Sequence, residues 1–290
     1  MAGSGGTPIL ESVSDTALLV AYHRAMESTR SDALFRDPYA ERLAGDRGEE
    51  IARRLRWGKR MAWSTITRTV LIDEIIPRLV GEGVDTVLNL AAGLDSRPYR
   101  LPLPPSLRWV EMDLPALTAA KTELLKDEKP RCQLERVSVD LANSSERQRA
   151  LAEQAGKTKK VLVLTEGLLV YLPEAVVSEL ARELHEKSPI QYWLCDLATP
   201  LILKRMQKWW GKHMKAANAR MQFAPAEGTK FFEPWGWREK EFHGLFENSL
   251  RIHRAMPFAW MFKFQMKLFP KHTQKQMAKW RAGVVLLERV

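Results

Sequence analysis

From Val84 onward, short apolar runs alternate with segments of helical periodicity. Such runs, bounded by turn residues, are typical of strands buried on both faces of a parallel sheet, with helices forming the crossovers. The predicted strands cover residues 85–90, 107–112, 133–139, 161–165, 191–195, 250–253 and 284–288. We therefore predict an α/β fold with a seven-stranded, mostly parallel sheet and helices on both faces.

The chain before the first predicted strand is helical. The stretch SDTALLVAYHRAMES has apolar residues at helical spacing from Ser14. Asp37 and Pro38 predict a second helix start, because Asp caps helices and Pro suits their first position, and a further helix is expected over residues 57–79. This helical part is a candidate cover over a ligand site. We therefore predict a mobile N-terminus (1–13) followed by a single domain (14–290). Within this domain we expect a helical cover (14–80) and a cofactor-binding core (84–196). A lid or substrate insertion (197–248) between strands 5 and 6 and the last strands (249–290) would follow.

A carboxylate follows each of the first five predicted strands. In an open parallel sheet, ligands bind in the crevice outside the carboxyl ends of the strands, so these side chains should gather at one edge. Any one of them alone has a simpler interpretation as a helix cap or turn residue. The five acids are Asp95, Asp113, Asp140, Glu166 and Asp196.

The turn TVLNLAAGLDSR indicates which ligand these acids serve. A dinucleotide site needs several glycines so that the backbone can approach a pyrophosphate, and this turn has only Gly93. Asp113 follows the first strand by about the twenty residues at which an acid meets ribose hydroxyls. A nucleoside without phosphate that carries a cation fits both observations, and S-adenosylmethionine is such a molecule.

Charge is unevenly distributed along the chain. The net charge is +10, and residues 200–290 hold 18 Lys and Arg against 6 Asp and Glu, together with six of the ten tryptophans. Such a region suits an anion that also has an apolar body, and equally a membrane surface or nucleic acid. The segment MFKFQMKLFPK (261–271) is expected to be a core or lid helix. Oligomeric state is not indicated by the sequence.

Other compositional features narrow the location and chemistry. The sequence has no apolar run of the roughly 18 residues needed for a membrane span and no basic, apolar N-terminal signal, so we expect a cytoplasmic protein. Its two cysteines, Cys132 and Cys195, show no metal-ligand spacing and are predicted to be reduced core residues. No metal site is predicted.

Four motifs in the sequence resemble those of a known protein family. In order and interval, NLAAGLDSRPYRL, VEMDLP, VSVDL and LTEGLLVYLP resemble the leucine carboxyl methyltransferase-like family of class I S-adenosylmethionine-dependent O-methyltransferases, which includes bacterial polyketide-type carboxyl O-methyltransferases. The N-terminal segment and TRTVLID extend the resemblance over roughly residues 14–200. The resemblance implies the Rossmann-like class I methyltransferase fold and S-adenosylmethionine as the cofactor.

The resemblance also implies roles for residues near the methionine part of the cofactor. Arg68 would pair with its carboxylate, because a planar guanidinium matches that group. The turn from Ala91 to Gly93 would pass close by. The family usually has Gly where Ala91 stands, so the extra methyl either narrows the site or has no effect if φ stays negative. Glu166 would lie by the ammonium, and Tyr171 would border the methyl-transfer site.

For the nucleoside part, the resemblance places Asp113 at the ribose hydroxyls, with Glu111 as the less favoured substitute. Asp140 would accept from the exocyclic amine of adenine, and the backbone N–H of Leu141 would donate to a ring nitrogen. Asp95 and Arg97 are expected to pair with each other within the turn.

The expected reaction is methylation of a carboxylate on a small organic acid. Such an acceptor is already ionised at pH 7, so the protein need only position it and exclude water. A phenol acceptor would need a base, for which His243 is the first candidate. The alternatives are a protein C-terminal carboxylate as the acceptor, a nucleic-acid substrate, which the absence of a recognisable RNA-binding module disfavours, and a nucleoside-binding homologue without activity.

Overall fold

The protein is described by a computed structural model over residue 10 and residues 14–55, 58–156, 158–187, 189–216, 219–256, 259 and 282–290. The predicted mobile N-terminus apart from Leu10, the segment 261–271, and Trp57, Trp260 and Trp280 lie outside these residues. The helices are α1 (Ser14–Ser28), α2 (Ala40–Arg54), α3 (Ala62–Gly81), α4 (Arg97–Arg100), α5 (Pro115–Leu124), α6 (Ser144–Ala155), α7 (Glu174–Glu186), α8 (Pro200–Ala216) and α9 (Leu245–Arg251).

The strands form one seven-stranded sheet. Their order is β3-β2-β1-β4-β5-β7-β6, and β1 to β5 are parallel, whereas β7 runs antiparallel to both β5 and β6. The predicted α/β class and mostly parallel sheet are therefore confirmed. The strands are β1 (Thr86–Leu90), β2 (Arg108–Asp113), β3 (Gln133–Ser138), β4 (Val161–Thr165), β5 (Ile190–Leu197), β6 (Trp237–Gly244) and β7 (Gly283–Arg289).

The sixth predicted strand was wrong. Residues 250–253 end helix α9 and begin the turn after it, and the strand that pairs with β7 is Trp237–Gly244. The predicted insertion, which was placed at 197–248, therefore contains β6 and most of α9. The connection from β5 to β6 ends at residue 236, and it carries α8 and a 3-10 helix at Gly228–Trp235.

Alternate residues of the central strands pack against opposite layers. Val87, Leu162 and Leu164 contact the apolar side of α3, whereas Leu88 and Val163 pack toward α6 and α7. The strands are buried on both faces, as their nearly continuous apolar sequences predict. Both cysteines are buried and free, as predicted, and burial raises the pKa of Cys132 to about 12.

The predicted helical cover is present. Helices α1 and α2 pack on each other, and together with α8 they bury an apolar cluster that includes Leu19, Ile51 and Trp210. Leu10, from the N-terminal segment predicted to be mobile, is fully buried in this cluster. Of the helices in the described part of the chain, none combines the length and apolar character needed to cross a membrane.

The predicted start of the second helix is two residues early. Helix α2 begins at Ala40, and Tyr39 occupies the capping position. Asp37 is buried instead, where its carboxylate accepts hydrogen bonds from Arg24 at 2.8 Å and from Ser96 at 2.6 Å. This acid therefore joins α1 to the turn after β1, and its other oxygen accepts from the backbone N–H of Tyr39.

Candidate active site

A cavity of about 1180 Å³ lies at the carboxyl ends of the parallel strands, under the helical cover. The sheet order reverses between β1 and β4, which is the position where ligands bind in open α/β sheets. The acids that follow the first five strands all line this cavity, so the predicted convergence of carboxylates is confirmed. They are Asp95, Asp113, Asp140, Glu166 and Asp196.

Asp113 is held in place by the backbone on both sides. Its Oδ2 accepts from the N–H of Gly93 at 2.6 Å, and its Oδ1 accepts from the N–H of Leu114 at 2.7 Å. Burial raises the pKa of Asp113, although both N–H groups act in the opposite direction. Glu111, its proposed substitute, is 3% exposed and paired with Lys121 and Arg136, so it is not available to a ligand.

The turn after β1 has a left-handed backbone at two positions. Ala91 has φ of 54° and Gly93 has φ of 53°. The condition under which the methyl of Ala91 would have no effect, a negative φ, is therefore not met, because an L-residue here lies in a region that glycine prefers. The N–H of Ala91 donates to the carbonyl of Met112 at 2.8 Å, which fixes the turn against the end of β2.

Arg68 projects from α3 between two of the acids. Its Nε donates to Glu166 at 2.8 Å and its Nη1 to Asp196 at 3.0 Å. Nη2 makes no hydrogen bond within the described residues. Asp196 is itself anchored by the backbone N–H of Gly167 at 2.6 Å. This arrangement joins the cover helix to the tips of β4 and β5.

The predicted pair of Asp95 and Arg97 is confirmed, and it belongs to a larger network. Nη1 of Arg97 lies 2.9 Å from Asp95 and 2.7 Å from Glu166, and its Nε lies 2.6 Å from Asp73. Burial acts to raise the pKa of Glu166, but Arg97 and Arg68 outweigh it and hold that pKa below its usual value.

Sequence reasoning missed Asp73 and Arg100, which make two hydrogen bonds with each other at 2.6 and 2.9 Å. Both lie within the motifs TRTVLID and DSRPYR, which is the signal that could have identified them. The network counts four carboxylates against three guanidinium groups, so it favours a bound cation. Its members are Glu166, Asp196, Asp95, Asp73, Arg68, Arg97 and Arg100.

Asp140 and Leu141 follow β3 and line the same cavity. The carboxylate of Asp140 is exposed, and its Oδ1 accepts from the N–H of Ala142 at 2.9 Å. Leu141 is buried, and its carbonyl accepts from Arg147 at 2.7 Å. At the end of the cavity next to β3, Asp140 thus offers a hydrogen-bond acceptor, and the backbone of Leu141 is held in place by Arg147.

Of the two residues predicted to act on the acceptor, the structure brings one to the cavity. Tyr171 lines it, and burial raises the pKa of its phenol, which hydrogen bonds to Thr16 of α1. His243 does not line it. Its imidazole lies on edge strand β6, 3.0 Å from Glu241, which also pairs with Arg78 of α3. The prediction of His243 as a base at this site is therefore wrong.

A different histidine lines the cavity. His23 of α1 is 2% exposed, with Nδ1 3.1 Å from the hydroxyl of Thr65 and Nε2 3.0 Å from the carbonyl of Gly58. Because a carbonyl can only accept, Nε2 carries the proton and Nδ1 accepts from Thr65. Desolvation lowers the pKa of His23 from 6.5 to about 4, so the ring is neutral near pH 7. Among the described residues, no group of three or more His, Cys, Asp or Glu could hold a metal ion.

Comparison with known proteins assigns the family. The sequence model of the family described as leucine carboxyl methyltransferase matches residues 17–185, which is more than half of the chain. The chain belongs to this family. The match begins within α1, covers the turn after β1 and all the motifs that carry the resemblance, and ends at residue 185 of α7.

The chain is also similar to proteins from Streptomyces and Mycobacterium. A "putative S-adenosyl-L-methionine-dependent methyltransferase" of Streptomyces coelicolor is 37% identical over 185 residues, covering 60% of this chain and 64% of the relative. The chain thus matches less than two thirds of that relative's length. A protein of the same description from Mycobacterium tuberculosis is 32% identical over 281 residues, covering 87% of this chain and 84% of its own.

Solved structures show the same fold for this family member. A DUF574 family protein from Streptomyces avermitilis superposes with a TM-score of 0.60 at 12% identity, covering 95% of this chain and 97% of the other. A "putative methyltransferase" from Thermobifida fusca gives a TM-score of 0.56 at 12% identity, covering 97% of this chain and 96% of the other. These likenesses confirm the predicted class I methyltransferase architecture.

Proposed function

We propose that this protein transfers the methyl group of S-adenosylmethionine to the carboxylate of an organic acid. The observation that carries the acceptor class is the state of His23. Both of its ring nitrogens are occupied by Thr65 and Gly58, so the histidine that lines the cavity in the described part of the chain offers no free base. A carboxylate needs none, because it is ionised at neutral pH.

The residues at the strand tips fit this cofactor. Asp113 has one lone-pair region on each oxygen engaged by backbone N–H groups and retains acceptor capacity for ribose hydroxyls. Asp140 would accept a hydrogen bond from the exocyclic amine of adenine, and the backbone N–H of Leu141 would donate to a ring nitrogen. Nη2 of Arg68 would donate to the methionine carboxylate, with Glu166 and Asp196 alongside it for the ammonium.

Electrostatics favour the same ligand. S-adenosylmethionine carries a sulfonium, an ammonium and a carboxylate, and therefore a net positive charge. The surrounding network has one more carboxylate than guanidinium groups, and the adjoining ion pair of Arg24 and Asp37 leaves this balance unchanged. A bound cation would balance the remaining negative charge of this network.

When bound, S-adenosylmethionine supplies a methyl group on a sulfonium, from which an acceptor oxygen takes it. The chain would then act by holding the reactants and excluding water. Helix α1 and Tyr171 close the cavity over the strand tips, and the Thr16 hydroxyl orients the phenol of Tyr171. Holding the reactants in this way can lower the activation free energy by several kcal/mol, up to roughly 7 to 11 kcal/mol.

The test combines binding and turnover. Calorimetry with S-adenosylmethionine should show binding, and mass spectrometry should detect methyl esters in a panel of organic acids, with a peptide ending in a free C-terminal leucine included as the protein-type acceptor. Asp140→Ala should weaken cofactor binding by about tenfold and lower the melting temperature only slightly, because this carboxylate makes no ion pair within the described residues and its hydrogen bond from the N–H of Ala142 is exposed. Asp127→Ala, at an exposed position outside the cavity, is the matched control.

Three outcomes separate the candidate functions. Ester formation from free acids supports the proposal. Methylation of the peptide alone would assign a protein C-terminus as the acceptor. Binding without any product would indicate a nucleoside-binding homologue that has lost activity, for which the strained Ala91 gives a structural reason.

A further inference from the structure

The cavity has two chemically different walls. The wall formed by the strand tips carries the acids and Arg68, whereas the wall formed by the cover helices is largely apolar. The total volume, about 1180 Å³, exceeds the roughly 300 to 1,000 Å³ that is usual for a small-molecule site. A nucleoside cofactor at the acidic wall therefore leaves room for a second sizeable molecule.

Helix α8 supplies much of the apolar wall. Its cavity-facing residues recur at helical spacing, and they are Leu201, Ile202, Arg205, Met206, Trp209 and Trp210. Lys204 and Lys208 lie between them in sequence, are exposed and do not line the cavity. The helix is thus amphipathic, with its apolar face turned to the cavity rather than to the sheet. Side chains from α1, α3 and the segment after β4 complete this wall, among them Leu19, Trp63 and Val170.

The polar side chains of Arg24, His23 and Tyr171 in this part of the cavity already have partners. Arg24 donates to Asp37 at 2.8 Å and to the carbonyl of Leu94 at 2.6 Å. His23 is bonded at both nitrogens, and Tyr171 is bonded to Thr16. A hydrophilic acceptor would lose its hydration here and find few groups to replace it, which is unfavourable. An apolar acceptor would gain from contact with the same surface.

We infer that the methyl acceptor is a carboxylic acid with a large apolar body, and that Ile202, Met206 and Trp209 on α8 determine the size of that body. This inference rests on the proposed function and names its substrate class. The carboxylate would lie toward Tyr171, where the two walls meet, and the apolar body would lie along α8. The reaction forms an oxygen–methyl bond and breaks the sulfur–methyl bond, with the bonding electron pair retained by sulfur.

The first experiment measures kcat/KM for a homologous series of straight-chain acids, namely butanoate, octanoate and dodecanoate, with citrate as a hydrophilic acid. Each methylene that enters the apolar wall should raise kcat/KM by up to about fourfold, which corresponds to about 0.8 kcal/mol per buried CH2. Dodecanoate should therefore be the best of the four acceptors.

The second experiment changes the size of the acceptor space. Ile202→Trp should lower kcat/KM for dodecanoate at least tenfold, while changing that for butanoate and the Kd for S-adenosylmethionine less than twofold. Lys215→Trp places the same ring at an exposed position of α8 and should change none of these values. Trp209→Ala enlarges the space and should shift the preference to acids longer than dodecanoate, which provides a second test if Ile202→Trp does not fold.

The outcomes distinguish this inference from the proposed function. If butanoate or citrate is methylated more efficiently than dodecanoate, or if Ile202→Trp affects all acids equally, the inference is overturned and the carboxyl methyltransferase function stands. If no acid in the series forms an ester although S-adenosylmethionine binds, the proposed function itself fails.

Discussion

The backbone N–H of Gly93 donates to Oδ2 of Asp113 over 2.6 Å, which joins the turn after β1 to the acid at the end of β2. Gly93 and Asp113 therefore form one unit, in which the carboxylate both shapes the turn and faces the cavity. A change at Asp113 should alter cofactor binding and the geometry of the turn together.

Asp113→Asn tests this dual role. An amide has one acceptor oxygen, whereas two backbone N–H groups, from Gly93 and Leu114, donate to this side chain. One of them would face the amide NH2, so we expect weaker S-adenosylmethionine binding by roughly 10- to 100-fold, the equivalent of one hydrogen bond to a charged group, together with a lower melting temperature. Calorimetry and thermal unfolding measure both effects. A variant with unchanged melting temperature and unchanged Kd would show that the carboxylate serves neither purpose.

The left-handed backbone at Ala91 leads to a second prediction. Ala91→Gly removes the steric cost of a Cβ at φ of 54° and should raise the free energy of unfolding by about 1 kcal/mol. The neighbouring Ala92→Gly is the matched control, because Ala92 is not among the residues at positive φ and glycine there should destabilise the protein by increasing the freedom of the unfolded chain. Urea unfolding measures both. Destabilisation of similar size in the two variants would contradict the strain at Ala91.

The central strands of the sheet were predictable from short stretches of the sequence. Strands β1 and β4 are nearly continuous apolar runs because they are buried on both faces, and such runs are visible in the sequence. The acids that follow the strands were recognisable for the same reason, because the end of each run marks the edge of the sheet where a ligand binds.

Strand β6 lacks this signal. Its sequence, WREKEFHG, has four consecutive charged residues at its centre, and its pairing with β7 shifts register between Glu239 and Glu241, which interrupts the alternation expected of a strand. Exposed edge strands commonly carry charges, which oppose pairing with other chains. The segment LRIH at 250–253, in which apolar and polar residues alternate, was mistaken for the missing strand, although its first two residues end helix α9.

The ion-pair network was predicted only within one turn. Asp95 and Arg97 are two residues apart, so their pairing could be inferred from the sequence, whereas Arg97 and Asp73 are separated by 24 residues and meet only because α3 packs across the sheet. His23 likewise gains its role from Thr65, 42 residues away. Contacts of this kind depend on tertiary packing, which no local pattern records.

The buried, neutral His23 makes stability depend on pH. The unfolded chain binds a proton at this residue near pH 6.5, whereas the folded protein does so only near pH 4. The unfolded state therefore holds more protons between these values, and the contribution of His23 to stability is complete above pH 6.5 and is lost as the pH falls toward 4. Between pH 7 and pH 5 we expect a loss of about 2 kcal/mol.

Urea unfolding of His23→Gln at pH 7 and pH 5 checks this expectation. The variant should lose less stability than the wild type over this interval, because it has no imidazole to protonate. His253→Asn is the control, since His253 is exposed and asparagine tolerates its φ of 55°. An identical pH dependence in wild type and His23→Gln would exclude His23 as the cause.

The exposed cations of α8 suggest a role in attracting the acid. Lys204, Arg205 and Lys208 are all exposed, and Arg205 also lines the cavity. Replacing all three with Gln should raise KM for an organic acid several-fold near 0.01 M salt, where charges act over roughly 30 Å, and should have little effect at 1 M, where they are screened within about 3 Å. Gln at Lys129 and Lys159, exposed on other elements, is the control. Steady-state kinetics at both salt concentrations tests this expectation. An unchanged KM at low salt rules out electrostatic steering of the acid. An equal rise in KM at both concentrations indicates direct contact between Arg205 and the acid instead.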